Sequence, residues 1–223
     1  MTDFVPTART KVKRLPKRGH YDRDTVYAIL DAGFVCHIGY VIDGQPYVTP
    51  TAYWREGDAV YWHGSSKSRM LLALEKGPGI CLTVSHLDGL VVARSGFHKS
   101  INYRSAMLFG KPYKVTEPEE KLAKMERFVE RLYPGRWGEL RPVTKQELKA
   151  TSVFGLHIEE AVAKVRNGPP VDDEPDYALP ICSFHLPGHL LPSGKRLSPR
   201  RSAPERWRHG DGSGQVLRRD LYH

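Results

Sequence analysis

Short segments of alternating or continuous apolar residues, separated by brief polar turns, fill the first two thirds of the chain. Such segments, rich in β-branched and aromatic residues, predict strands. Two of the turns, Asp43-Gly44 and Asp88-Gly89, have the residues of tight two-residue hairpins. The predicted strands span residues 34–42, 45–54, 59–62, 80–85, 90–94, 105–115 and 151–158. Strands joined by such short turns predict an antiparallel barrel.

Three segments repeat apolar residues with helical spacing instead. Residues 24–32 and residues 70–76 each run up to a glycine, which is a common end of a helix. A longer helix is predicted after Thr116, because Thr116 and Glu119 have the spacing of a capping box and Pro118 suits a first helical turn. The pattern therefore predicts a mainly β chain with a few helices packed outside the barrel.

The length of 223 residues suits one domain, and the net charge of +9 is concentrated at its ends. Residues 1–20 and residues 183–223 each carry about +5, so the body between them is nearly neutral. Solvated tails explain this distribution better than a nucleic-acid surface, so nucleic acid is not an expected partner. We predict a basic N-terminal extension over 1–20, one domain over 21–180 and a mobile basic tail over 181–223, where apolar periodicity disappears.

The three cysteines, Cys36, Cys81 and Cys182, are an odd set without a CxxC pair, which predicts reduced thiols instead of disulfides. The N-terminus has no apolar signal-peptide core, and no apolar run is long enough to span a membrane. We therefore expect a cytoplasmic protein that does not insert into a membrane.

The segment His63-Gly64-Ser65-Ser66-Lys67-Ser68-Arg69 joins a predicted strand to a predicted helix. Its three serine hydroxyls, its two cations and the free N–H groups of a helix start would converge well on one phosphate. An ordinary serine-capped helix with solvated Lys and Arg side chains has the same sequence. The motif alone leaves both interpretations open.

Residues 95–105 form a second dense group of hydrogen-bonding and aromatic residues, in a predicted connection between strands where binding residues often lie. A polar surface loop is the ordinary alternative. The histidines of the body are scattered without the spacing of metal ligands, so no metal site is predicted.

Several motifs, taken in order, resemble the pyridoxamine 5′-phosphate oxidase-like, FMN-binding split-barrel family, and within it the branch of the nitroimidazole-resistance (5-nitroimidazole reductase) proteins. The resemblance covers about residues 15–180. The motifs that carry it are His63-Gly64-Ser65, Ser68-Arg69, the run from Cys81 to Val91, Asn102-Tyr103-Arg104-Ser105 and Pro134-Gly135-Arg136-Trp137.

This resemblance implies a six-stranded antiparallel Greek-key split β-barrel with flanking helices. It also implies a homodimer with one FMN in each of two clefts at the subunit interface. The deazaflavin F420 and haem are the alternative cofactors, because split barrels accept all three.

In the family pattern, the backbone of residues 49–53 runs along the isoalloxazine ring, and residues 63–69 take the ribityl chain and phosphate. Residues 102–105 approach the flavin partly from the partner subunit. His63 has the position of the branch's active-site histidine, so it is the candidate catalytic residue. The implied cofactor-binding residues are Thr49, Pro50, Thr51, Tyr53, His63, Gly64, Ser65, Lys67, Ser68, Arg69, Asn102, Tyr103, Arg104 and Ser105.

The implied activity is an FMN-dependent oxidoreduction. Electrons from a reduced nicotinamide would pass to a small electron-poor acceptor such as a nitroaromatic, or the protein would act on a pyridoxine-like substrate. A non-catalytic flavin-binding or storage protein on the same barrel is the alternative. One departure is that residues 179–223 do not reproduce the Trp- and Arg-containing motif with which pyridoxamine phosphate oxidases end.

Overall fold

The computed structural model describes residues 2–188. Within this range the chain forms ten strands, four α-helices and three short 3₁₀-helices. The strands are β1 (Gly19–His20), β2 (Val35–Ile42), β3 (Gln45–Glu56), β4 (Ala59–Ser65), β5 (Ile80–Val92), β6 (Ser100–Gly110), β7 (Tyr113–Val115), β8 (Thr151–His157), β9 (Glu160–Arg166) and β10 (Phe184–Pro187). The α-helices are α1 (Arg23–Asp31), α2 (Arg69–Leu74), α3 (Pro118–Leu132) and α4 (Lys145–Ala150), and the 3₁₀-helices are Pro16–Arg18, Trp137–Glu139 and Glu174–Ala178.

The strands form one sheet in the hydrogen-bonded order β1-β9-β6-β5-β2-β3-β4-β8-β7, with β10 alongside β5. The paired strands run antiparallel, and the sheet is not closed. The fold is therefore mainly antiparallel β with flanking helices, as expected for a split barrel. The strand count exceeds the implied six partly because β1, β7 and β10 have only 2, 3 and 4 residues.

Strands β2 and β3 form the hairpin that the sequence predicts. They pair residue for residue from Ile42 opposite Gln45 to Val35 opposite Ala52. Asp43 and Gly44 have φ angles of 49° and 81°, and two successive positive φ angles are what a type I′ turn requires. The predicted turn is confirmed.

The second predicted hairpin, at Asp88-Gly89, is wrong. Strand β5 continues through both residues, from Ile80 to Val92. Gly89 instead accommodates β10, because a Cβ atom there would lie 2.6 Å from the carbonyl oxygen of Leu186. The glycine is needed for a close approach between strands and not for a turn.

The predicted capping box at Thr116 is also wrong. Helix α3 begins at Pro118 after Glu117, and no side chain caps its start. A capping box is present at α4, where the Thr144 hydroxyl accepts from the Glu147 N–H and the Glu147 carboxylate accepts from the Thr144 N–H. The prediction also missed β9, which directly follows β8 and pairs with β6.

Two apolar layers lie on opposite faces of β3 and β4. Tyr53 and Trp62 belong to the main core inside the barrel, whereas Trp54 and Tyr61 belong to a smaller core on the outside. Helix α3 contributes Phe128 to the outer core. Because alternate residues of a strand face opposite sides, His63 shares the outer side with Tyr61.

The N-terminal residues pack on the barrel. Phe4 is 5% exposed within the main core, and its N–H donates to the carbonyl of Tyr21 (2.9 Å). The Tyr21 hydroxyl in turn donates to the Thr10 carbonyl (3.1 Å). Residues 189–223, most of the predicted tail, lie outside the described residues, whereas residues 184–187 form β10.

The chain divides into two compact units. One holds residues 2–87 and 102–167, and in the described range the other holds residues 88–101 and 168–188. In the second unit, Arg94 joins the two segments: its guanidinium donates to the Asp172 carboxylate (2.9 Å) and to the Ser183 hydroxyl (2.7 Å). All three cysteines are free thiols, and no helix of residues 2–188 has the length and hydrophobicity needed to cross a membrane.

Candidate cofactor site

Strand β3 has an open edge over part of its length. Residues 45–52 pair with β2 on one side, whereas β4 pairs with β3 only over residues 53–56. Within residues 2–188, no strand pairs with the other edge of residues 45–52. Unpaired backbone groups on such an edge are ready to bind a ligand.

The direction of these backbone groups follows from one hydrogen bond. The Tyr53 N–H donates to the Phe34 carbonyl (3.1 Å), so odd-numbered residues of this segment direct their N–H and C=O groups toward β2. Even-numbered residues direct theirs toward the open edge. Two of these, Pro46 and Pro50, have no N–H, which is typical of an edge strand. The open edge thus offers the N–H groups of Val48 and Ala52 and the carbonyl groups of the even-numbered residues.

Among the residues predicted along the flavin ring, Tyr53 directs its side chain away from this edge. It is fully buried in the main core, and its hydroxyl donates to the Leu30 carbonyl. Thr49 and Thr51 are half-buried, and the Thr49 hydroxyl lies 3.1 Å from the Tyr40 hydroxyl. Because the Tyr53 N–H and C=O also point toward β2, neither its side chain nor its backbone groups face the open edge.

The loop between β4 and α2 satisfies most of its backbone internally. The Ser66 N–H donates to the Ala150 carbonyl (2.8 Å), and the Ser68 N–H donates to the Ser65 carbonyl (2.8 Å). The Lys67 N–H donates to the Ser65 hydroxyl (3.3 Å). These three N–H groups of the loop are therefore satisfied within the protein, and the predicted phosphate site depends on the helix start and the two cations.

The helix start and two cations remain available at this loop. Helix α2 begins at Arg69, so the N–H groups of its first turn have no partner within the helix. Ser68 is the N-cap residue, as the ordinary alternative requires, but its side chain makes no capping hydrogen bond. Lys67 is exposed, and the Arg69 guanidinium lies 4.6 Å from the centre of the Tyr47 ring.

His63 lies on the outer side of β4, beneath α3. Its ring centre is 4.7 Å from that of Phe128 and 6.1 Å from that of Trp54. Burial lowers the pKa of His63, so its imidazole is neutral near pH 7. Its Nδ1 atom is buried without a hydrogen-bond partner within residues 2–188. A neutral imidazole with an unsatisfied nitrogen can accept or donate a proton, or bind a metal ion.

The second predicted group, Asn102 to Ser105, is part of β6 and not of a loop. Tyr103, Arg104 and Ser105 lie opposite Arg166, Val165 and Lys164 of β9. Asn102 is 2% exposed, and its side-chain oxygen accepts from the Arg166 guanidinium. In the sheet order, β6 is separated from β4 by β5, β2 and β3. Within one chain the two predicted groups therefore lie on strands that are not neighbours.

Sequence reasoning missed the residues that surround His63. Trp54 donates its indole N–H to Glu56 (2.7 Å), and Glu56 also accepts from Lys124 of α3 (2.8 Å). The only sequence signal was that Tyr53 and Trp54, as neighbours in a strand, must face opposite sides of the sheet. That alternation could not indicate that helix α3 packs over the outer side, where Trp54 and His63 lie. Among residues 2–188, no group of His, Cys, Asp and Glu side chains is arranged to hold a metal ion.

Comparison with known proteins identifies relatives over most of the chain. The model of the pyridoxamine 5′-phosphate oxidase family matches residues 22–165. The structure of the flavocytochrome Anf3 from Azotobacter vinelandii is 47% identical in sequence, with a TM-score of 0.79, over 91% of this chain and 96% of that one. The FAD and heme binding protein from Mycobacterium smegmatis is 32% identical, with a TM-score of 0.73, over 84% of this chain and 92% of that one.

A more distant structure shares the fold. The putative 5-nitroimidazole antibiotic resistance protein from Bacteroides thetaiotaomicron is 21% identical, with a TM-score of 0.56, over 66% of this chain and 86% of that one. No curated protein sequence matches. The family match covers well over half of the chain, and two relatives exceed 30% identity across most of it. The chain belongs to the pyridoxamine 5′-phosphate oxidase family.

Proposed function

We propose that this protein is a flavin-dependent redox protein of the flavocytochrome type. The observation that carries the proposal is the 47% identity to the flavocytochrome Anf3 over 91% of this chain. A flavin supplies hydride and single-electron transfer, so the protein has only to bind it, orient it and control what reaches it.

The open edge of β3 supports a place for the isoalloxazine ring. The ring's pyrimidine part needs both donors and acceptors in one plane, and the outward groups of Pro50 and Ala52 offer a carbonyl and an N–H. Because Pro46 and Pro50 cannot donate, another strand would find a poor partner here. The edge is suited to a planar ligand better than to sheet extension.

The start of α2 supports a place for the flavin phosphate. Lys67 and Arg69 bring two positive charges next to the first-turn N–H groups of the helix. Helix α2 has only 6 residues, so the two side-chain cations outweigh the helix dipole. FMN is the cofactor that this single phosphate site favours, and FAD and the deazaflavin F420 are the alternatives.

Haem is the second cofactor that we propose, because one relative above 30% identity is named a FAD and heme binding protein and the other a flavocytochrome. His37 is the candidate ligand, because its ring is exposed and lies opposite Pro50, at the strand that we assign to the flavin. His63, which burial keeps neutral, is instead the candidate proton carrier.

The substrate that we propose is a small electron-poor acceptor such as a nitroaromatic. His63 would hold or move the proton that accompanies its reduction. A pyridoxine-like substrate fits less well, because residues 179–223 lack the Trp- and Arg-containing motif that the oxidase resemblance requires. A flavin-binding protein without turnover is the second candidate function.

An apolar face of the sheet supports a homodimer. Outward-facing residues of β2 and β3 leave Val35, Val41 and Val48 at 53%, 51% and 68% exposure. Leu87 of β5 and Met107 of β6 extend this face. Such a patch on a single chain marks an interface, and a second copy would complete the cleft beside β3.

The visible spectrum of the purified full-length protein tests the cofactor proposal. We expect flavin bands, and a Soret band after reconstitution with haemin. Steady-state oxidation of NADH or NADPH in the presence of a nitroaromatic then separates an enzyme from a storage protein. A colourless protein that binds neither FMN nor FAD after reconstitution would overturn the proposal.

A further inference from the structure

Helix α4 ends where it meets the loop between β4 and α2. The last carbonyl groups of a helix need donors from outside it. The Thr151 hydroxyl donates to the Glu147 carbonyl (3.0 Å). The Ser66 N–H of the loop donates to the Ala150 carbonyl (2.8 Å). The end of α4 is therefore bonded to the loop that carries both candidate phosphate cations.

Lys121 of α3 is a further donor at this helix end. Its ammonium group donates to the carbonyls of Leu148 (2.7 Å) and Thr151 (2.8 Å). These two residues lie on either side of Ala150, so Lys121 fixes the chain around the carbonyl that accepts from Ser66. A cation is also favourable here, because the last carbonyls of a helix carry partial negative charge.

The Lys121 ammonium makes these two contacts without a carboxylate partner. Among residues 2–188, no ion pair includes Lys121. Burial and the positive charge of Lys114 lower the pKa of Lys121. Burying part of a charged group is unfavourable unless it is hydrogen-bonded, so the two carbonyls keep the ammonium in this position.

The loop itself has mainly local hydrogen bonds at its near end. The Lys67 N–H and the Ser68 N–H donate to the hydroxyl and the carbonyl of Ser65. These bonds fix the shape of the loop. Its place beside β8 is set where Ser65 pairs with Thr151 and where the Ser66 N–H meets Ala150.

We propose that Lys121 is a positioning residue for this loop: through the end of α4 it holds Ser66, and with it the two cations Lys67 and Arg69. The inference rests on the proposed function, which places the flavin phosphate beside these cations. Charge-assisted hydrogen bonds depend on where the donors lie, so a small shift of the loop weakens phosphate binding without removing a phosphate ligand. Lys121 itself does not touch the cofactor.

Titration of the full-length apoprotein with FMN and with riboflavin tests the proposal. Lys121→Met keeps the apolar stem but removes the donors, and we expect it to bind FMN about tenfold more weakly. Riboflavin affinity should change little, because riboflavin has no phosphate. Lys121→Arg keeps donors for both carbonyls and should retain most of the FMN affinity.

Lys114→Met is the matched control. Lys114 of β7 is close enough for its charge to affect Lys121, and its ammonium donates to Glu75 just after α2 (2.6 Å). The variant removes the same charge from the same neighbourhood, but leaves the carbonyls of Leu148 and Thr151 bonded. Its affinities for FMN and riboflavin should match those of the parent.

Hydrogen exchange of the apoprotein, followed by NMR, reports on the loop without any flavin. The Ser66 amide should exchange about tenfold faster in Lys121→Met than in the parent, because its acceptor Ala150 is held less firmly. Amides in the middle of β4, where it pairs with β8, should keep their parent rates. The comparison separates movement of the loop from a general loss of stability.

Equal weakening of FMN and riboflavin binding, with faster exchange throughout the barrel, would show that Lys121 only stabilises the fold, and would overturn the proposal. An unchanged FMN affinity in Lys121→Met would overturn it too, whether or not the Ser66 amide changes. A parent protein that binds no flavin would contradict the proposed function alone. A selective change at Ser66 would then still assign Lys121 to the position of the loop.

Discussion

Burial of one imidazole makes the stability of this fold sensitive to mild acid. His63 is packed between Phe128 and Trp54, and burial lowers its pKa below the usual value of 6.5. The unfolded chain therefore binds the proton more readily, so the stability associated with the neutral ring is complete above about pH 6.5 and is lost as the pH falls. We expect His63→Gln to lose less stability than the parent between about pH 7.5 and pH 5.5.

Urea unfolding at the two pH values measures this difference. His37→Gln serves as the control, because the His37 ring is exposed on the outside of β2. It should follow the parent. Identical losses in His63→Gln and the parent would show that the His63 ring takes up a proton without cost in the folded protein.

Arg69 separates flavins that carry a phosphate from those that do not. We expect Arg69→Ala to weaken FMN binding by about 1.5–3 kcal/mol, the scale of a lost charge-assisted hydrogen bond. Riboflavin binding should change little, because riboflavin has no phosphate. Fluorescence titration of the apoprotein measures both affinities. Lys76→Ala, just beyond α2, is the control, and an unchanged FMN affinity in Arg69→Ala would place the phosphate elsewhere.

Gly33 is required by a close approach of side chains. A Cβ atom there would lie 2.9 Å from the Tyr53 hydroxyl and 3.0 Å from the His86 ring. We expect Gly33→Ala to lower the free energy of unfolding by about 1–3 kcal/mol, the usual range for overpacking. Gly79→Ala is a matched control, since nothing lies within 4 Å of its Cβ position. Equal urea midpoints for the two variants would show that the Gly33 site can relax.

The residue types in the candidate site allowed its chemistry to be predicted. Its backbone hydrogen bonds could not be predicted in the same way. Lys67 and Arg69 are placed beside a helix start, as the motif indicates. The Ser66 N–H, in contrast, is used by the carbonyl of Ala150, which lies far along the chain. The local motif cannot indicate that Ala150 accepts this hydrogen bond, because Ala150 comes close only when β8 pairs with β4 in the folded sheet.

Among the secondary-structure elements, those with strong local signals were predicted best. The β2–β3 hairpin has a turn that needs two positive φ angles, and Asp43-Gly44 supplies them. Asp88-Gly89 has the same two residue types, yet pairing with β10 keeps this part of β5 extended. The tertiary partner decides between the two outcomes, and the short strand from 184 to 187 had no alternating pattern that would reveal it.

Helix α1 depends on a side chain from α3 at its C-terminal end. The Arg131 guanidinium donates to the carbonyl groups of Asp31 (2.8 Å) and Gly33 (2.6 Å). These carbonyls follow the last helical turn, where a cation is favourable. We expect Arg131→Ala to lower the free energy of unfolding by about 1–3 kcal/mol, since it leaves partly buried carbonyls without a donor.

Thermal and urea unfolding of Arg131→Ala test this dependence. Arg127→Ala, one turn earlier on the exposed side of α3, should stay within about 0.5 kcal/mol of the parent. A similar loss in both variants would mean that α3 is destabilised by losing any arginine, and that the link to α1 contributes little.

The whole molecule leaves an apolar sheet face that a second copy would cover. Val41 and Val48 lie on adjacent strands with their side chains 51% and 68% exposed. We expect Val48→Asp to shift the protein from dimer to monomer, because each interface would bury two unpaired carboxylates. Flavin should be lost in parallel, since the cleft beside β3 would lack its second wall.

Val5→Asp is the control, because Val5 is 78% exposed on the N-terminal segment and away from these strands. Sedimentation velocity with absorbance at a flavin wavelength follows mass and flavin together. A parent protein that sediments as a flavin-loaded monomer would rule out the shared cleft and would leave the apolar face to a different partner.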